Sequence, residues 1–138
     1  MIHIQHSLNH LAILVSAIIL WILGAIWYSP ALFAKPWMQI LGLKKEENKK
    51  SFLYLGMIAS FVGDVLLSFV LAHIIVWSHA TGFWWGALVG ILVWFGFFAS
   101  PSLPQNLYEG RPFKLFAINS GYWLLGLFIV GGLLASWR

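Results

Sequence analysis

No cysteine occurs in these 138 residues, so disulfides and thiolate chemistry are excluded, and the redox compartment stays open. Charge is scarce as well: Asp, Glu, Lys and Arg make up 9% of the chain, four acidic residues against eight basic ones. There is no Gly-rich phosphate loop, no internal repeat and no low-complexity segment. Ser29, Ser100 and Ser120 lack the His and Asp partners that would make a nucleophile, and no acid–base pair shares one face, so an enzyme is not expected. The net charge of +4 could suggest nucleic acid. The basic residues, however, sit at the ends of apolar segments and form no face interleaved with aromatics, so nucleic acid is not an expected partner.

What is abundant is apolar surface. Hydrophobic residues are 61% of the chain and the mean hydropathy is +0.86. A chain of this length has too little interior to hide so much apolar area from water, so lipid must be the main solvent of the side chains. Four apolar segments, about 8–28, 52–77, 83–100 and 115–137, are each predicted to be membrane-spanning helices, because a helix satisfies its own backbone groups in hydrocarbon. The first has no Lys or Arg before it and exceeds the apolar length of a leader peptide, so it is expected to be a span that is retained. The expected fold is all-α, a single transmembrane domain over 1–138 forming an integral membrane bundle of four helices. A short interfacial helix is expected within 31–43, where Leu32, Phe33, Trp37, Met38, Ile40 and Leu41 precede a solvated charged turn at 44–50. Pro30 ends the first span and Pro36 suits a first helical turn. Residues 101–112 contain Pro101, Pro104 and Pro112, too many for continuous helix, and predict a compact loop with a turn of helix around 105–109.

All of the Lys and Arg residues except Arg138 lie in the first and third connections: Lys35, Lys44, Lys45, Lys49 and Lys50 in one, Arg111 and Lys114 in the other. With four crossings these two connections share a side, and the positive-inside rule makes it the cytoplasm, so both termini are expected outside. Trp27, Tyr28 and Trp37 are read as the inner aromatic belt, and Trp77, Trp84, Trp85 and Trp137 as the outer one.

A set of residues resembles a known family: Asn9, Leu11-Ala12, Gly24, Trp27-Tyr28-Ser29-Pro30, Phe33, Lys35 and Trp37, then Trp94-x-Gly96-Phe97, Glu109-Gly110-Arg111-Pro112, Asn119, Gly121-Tyr122, Gly132 and Trp137. The pattern covers nearly the whole chain, with the WYSP block its most specific part, and is similar to the small bacterial membrane proteins of domain of unknown function 1761. That resemblance implies a four-helix protein of the bacterial inner membrane. It carries no catalytic or binding residue with it, and Asp64 and most of the histidines lie outside the pattern.

Asp64 is the one charge in the second segment, where an ionised carboxylate costs roughly 2.5–3.5 kcal/mol on insertion scales. Ser60 and Ser68 lie four residues either side and share its face, and Gly56 and Gly63 are read as allowing close helix approach. The functional reading is a carboxylate that handles a proton or small cation. The structural reading is a protonated carboxyl hydrogen-bonded to a neighbouring helix or a second subunit, with Asn119, Tyr122 and Ser16 as candidate partners.

The five histidines form a second constellation. His3, His6 and His10 fall on one helical face, and His73 and His79 lie near the end of the second segment, so all are expected at the outer end of the bundle. Imidazoles of His6, His10, His73 and His79 could hold Zn or Cu, and a pair such as His10 and His73 could ligate haem; otherwise no cofactor is expected. His73 stands about 180° from Asp64 around a 3.6-residue helix, so the two are not expected to act as one relay. Gly82, Gly86 and Gly90, four apart, predict a flattened face for helix packing. So few helices leave little room for a path, and a homo-oligomer is expected. Three functions fit these residues: an oligomeric transporter or channel for a proton or small cation using Asp64, an accessory membrane protein that binds lipid or a partner protein, and a metal or haem module at the outer histidines.

Overall fold

A computed structural model of the protein describes residues 8–42 and 50–137, and the side chains of that range except 50–53. His3, His6, Arg138 and the charged run from Lys44 to Lys49 therefore lie outside the described residues. The helices are α1 (His10–Trp27), α2 (Ala34–Leu41), α3 (Lys50–Trp77), α4 (Phe83–Val93), α5 (Ser100–Tyr108) and α6 (Phe113–Ser136). A π-helical stretch, Trp94–Ala99, fuses α4 to α5. The described residues thus form five continuous helices, and four apolar stretches are long enough to cross a membrane: His10–Trp27, Tyr54–Trp77, Phe83–Tyr108 and Phe113–Ser136.

The third of these corrects the expected loop. The helix does not stop at Ser100 but runs through Pro101 and Pro104 to Tyr108. In the π stretch the Ser100 N–H reaches back five residues to the Phe95 carbonyl. This resets the hydrogen-bond register, so that Pro101 falls in the first turn of α5, where a missing N–H costs nothing. Such local π adjustments are how membrane helices absorb prolines.

α1 starts at Asn9, whose side chain accepts from the Ala12 N–H at 3.0 Å and donates to the Trp137 carbonyl at 3.3 Å, tying the two ends of the described chain together. At its other end the WYSP block makes the turn: the Ser29 hydroxyl donates to the Ile26 carbonyl, and the Phe33 and Ala34 N–H groups reach back to Trp27 and Ser29. α2 then runs to Gly42, which ends it in the left-handed region at φ 68°.

α6 is the axis of the bundle and touches every other helix. Against α4 the backbones meet directly: a methyl group at Gly86 would collide with the Gly131 carbonyl, and one at Gly90 with the Leu127 carbonyl. Gly82 joins that contact through its backbone, its N–H donating to the Ala135 carbonyl of α6 at 3.4 Å. It caps α4 at φ 85°, and a side chain there would meet nothing. Against α1 the contact is knob and hole, with Trp27 over Gly121 and Leu20 over Gly126.

The core is unevenly distributed along the bundle. Ala12, Ile13, Leu20, Leu71, Ala72 and Ile75 pack with Leu127, Val130, Leu134 and Ala135 around α6. These residues occupy the half remote from α2.

Candidate functional site

Between α1, α3 and α6, on the side of α2, the bundle holds a cleft of about 760 Å³. Trp21 and Tyr28 line it from the α1 side, Gly56, Ser60, Gly63 and Asp64 from α3, and Tyr122 and Trp123 from α6. Asp64 is the lining residue of α3 farthest from its N-terminus, which puts it at the deep end, beside the packed half. The residue is only 4% exposed. Among the described residues its carboxyl has no hydrogen-bond or ion-pair partner.

The three partners considered for Asp64 are otherwise engaged or do not reach it. The Tyr122 hydroxyl donates to the Leu20 carbonyl at 2.8 Å. It gets there because Gly24, one turn further along α1, has no side chain: a Cβ there would stand 3.2 Å from the Tyr122 oxygen. Asn119 accepts from the Tyr28 hydroxyl at 2.7 Å and faces a different, smaller pocket of about 140 Å³, shared with Asn106, Glu109 and Arg111. Ser16 is fully buried and its hydroxyl has no hydrogen-bond partner. Ser68 is in the same condition, one turn beyond Asp64. Of the polar set named from the sequence, Asp64, Ser60 and Tyr122 therefore share the cleft, while Ser68 is sealed in the core and Asn119 belongs elsewhere.

The glycines near Asp64 also differ from expectation. A Cβ at Gly56 or Gly63 would find nothing within 4 Å. They let no helix approach; they widen the cleft.

Trp27 and Tyr28, the rings read as an inner belt, spend their polar ends on α6. The Trp27 indole donates to the Ile118 carbonyl at 2.9 Å, and with the Tyr28 bond this fastens the end of α1 onto α6. Trp94 does the same for the third span, donating to the Ser120 carbonyl at 2.8 Å. Trp84, by contrast, is 75% exposed. The cleft residues missed from the sequence are Trp21 and Trp123. Their signal was position: each sits well inside a span, away from the ends where tryptophan anchors. The Trp21 indole donates to the Met57 carbonyl at 3.2 Å and its ring meets Phe61 edge-on, which holds α1 against α3 beside the cleft.

Among the described residues no group of three His, Asp or Glu comes together, and His6, one of the four candidate ligands, lies outside them. His73 stacks between Phe69 and Trp77, its Nδ1 against the Phe69 carbonyl at 2.8 Å. His79 occupies the turn between α3 and α4 at φ 57°, and His10 opens α1 on an exposed position.

Comparison with known proteins adds one finding. A family model described as "Protein of unknown function (DUF1761)" matches residues 11–135. No curated protein and no solved structure matches the chain.

Proposed function

The chain belongs to the DUF1761 family and has four candidate membrane spans, and we propose that it moves a proton or a cation across the membrane with Asp64 as the carrier group. One observation carries this reading: a carboxyl group is buried inside a span, at the deep end of a cleft, with no partner from the described residues. An acid so placed costs roughly 2.5–3.5 kcal/mol on insertion scales, and a purely packing role would offset that cost with a fixed hydrogen bond. Asp64 has none. Its compensation then comes from something that arrives and leaves, and a lone carboxylate attracts a proton or a positive charge.

The cleft lies on the side of the basic connections, which the positive-inside rule assigns to the cytoplasm. In this reading Asp64 is reached from the cytoplasm, both termini are outside, and the Leu, Ile and Ala cluster of the packed half is the closed gate. Four helices enclose little volume, so the working unit is a homo-oligomer of closed symmetry.

The test is flux into proteoliposomes. Wild-type protein is expected to dissipate an imposed pH or cation gradient, and Asp64→Asn to abolish that flux while the protein elutes from size exclusion unchanged. Flux that survives the substitution, or that never exceeds protein-free vesicles, overturns the proposal.

A further inference from the structure

On the reading that Asp64 handles a positive charge, we infer that the occupant of its cleft is a lipophilic organic cation and not a bare metal ion. Size argues first. A cleft of about 760 Å³ falls in the range of small-molecule sites, roughly 300–1,000 Å³, and far exceeds what a single dehydrated ion fills.

The ligand chemistry argues next. A hard cation such as Ca²⁺ or Mg²⁺ takes six or more oxygens. The side chains lining the cleft offer the Asp64 carboxyl and the hydroxyls of Ser60, Tyr28 and Tyr122, fewer than six oxygens together, and the two phenols are tied in place by the hydrogen bonds they donate to Asn119 and the Leu20 carbonyl. One carboxylate balances one positive charge. It cannot by itself replace a hydration shell.

What the cleft does supply is aromatic. The rings of Trp21, Tyr28, Tyr122 and Trp123 line it, and a cation over such a face is attracted by the ring quadrupole, more strongly when water is absent. Opposite them the α3 wall is stripped of side chains at Gly56 and Gly63, which leaves room for bulky substituents. The rest of the lining includes Ile22, Ile26 and Met57, and it receives alkyl or aryl groups at no polar cost. A single carboxylate, a set of rings and apolar walls together describe a site for a monovalent cation whose charge is shielded by carbon.

The probe is tetraphenylphosphonium, measured by equilibrium dialysis against the full chain in a neutral detergent. Saturable binding is expected, with tetraphenylborate, of the same shape and opposite charge, failing to bind. Asp64→Asn is expected to weaken affinity at least tenfold. Gly63→Leu is expected to abolish binding, since the added side chain occupies the cleft and its Cβ meets nothing else. Competition by added phosphatidylcholine would identify a lipid headgroup as the source of the cation, and its absence a free solute; both retain the inference. No saturable binding to wild type, equal binding of tetraphenylborate, or binding indifferent to both variants overturns it. The failures separate cleanly. Flux retained in wild type and in Gly63→Leu, with no tetraphenylphosphonium bound, removes the organic occupant and leaves the carboxylate reading. Binding with no flux removes transport and leaves the occupant.

Discussion

A methyl group added at Gly90 would run into the Leu127 backbone, whereas one added at Gly63 would meet nothing within 4 Å. Gly90 continues the four-residue spacing of Gly82 and Gly86 and Gly63 stands next to Asp64, yet from the sequence both read as places where a helix comes close. Their substitutions should diverge. Gly90→Ala is expected to destabilise the bundle by about 1–3 kcal/mol through overpacking, since backbone on both sides must move apart. Gly63→Ala is expected to be neutral or to stabilise by about 0.5–1 kcal/mol, because alanine costs less backbone entropy in a helix. Denaturation in mixed micelles, followed by circular dichroism, measures both; equal effects would mean that the α4–α6 contact is looser than described. Asp64 is the converse case. That it is an expensive residue was legible from one letter in an apolar run, but whether a hydrogen bond compensated it was not, because that depends on which groups of α1 and α6 face it.

At the scale of elements, the prolines mislead for a physical reason. A proline in the interior of a helix in water costs about 3 kcal/mol relative to alanine, and Pro101 and Pro104 so close together read as a loop on that measure. The π stretch ahead of them moves Pro101 into a first turn and lets the third span reach Tyr108. Helix α2 was easier to read, since its apolar residues, Pro36 near its start and Gly42 after its end are all local signals. The sidedness of these elements can be measured directly because the chain has no native cysteine to remove. Single cysteines at Gln39 and Tyr108, both exposed, are expected to react with a membrane-impermeant maleimide only in inside-out vesicles, and one at Thr81 only from the outside of intact cells. The reverse labelling would invert the topology, and with it the side from which Asp64 is reached.

For the molecule as a whole, the arrangement is a bundle packed shut in one half and holding the cleft in the other, with α6 as the common support. The tethers that hold it are indole and phenol groups of Trp27, Tyr28, Trp94 and Tyr122, each spending its polar end on a carbonyl or amide of another helix. This explains the WYSP block structurally: it turns the chain and fastens α1 to α6, which holds one wall of the cleft without itself supplying the carboxylate. If transport requires a symmetric assembly, light scattering of the detergent-solubilised protein should give a protein mass that is a multiple of 15.6 kDa, two or more. A monomer in mild detergent and in crosslinked native membranes alike would remove the oligomer from the proposal.

The number of spans, the sorting of basic residues to one side and the family were determined by sequence alone. Hydropathy over a span, charge in a connection and a motif are all properties of contiguous residues set against a bilayer of fixed thickness. Which faces meet was decided only in three dimensions. These helices are apolar nearly all round, so no amphipathic stripe marks an inside. The pairing of Gly86 with Gly131, the attachment of Trp27 and Tyr28 to α6, and the cleft that opens onto Asp64 follow from how four such helices fit together, where backbone contact and a few indole and phenol hydrogen bonds choose among faces that hydrophobicity leaves equivalent.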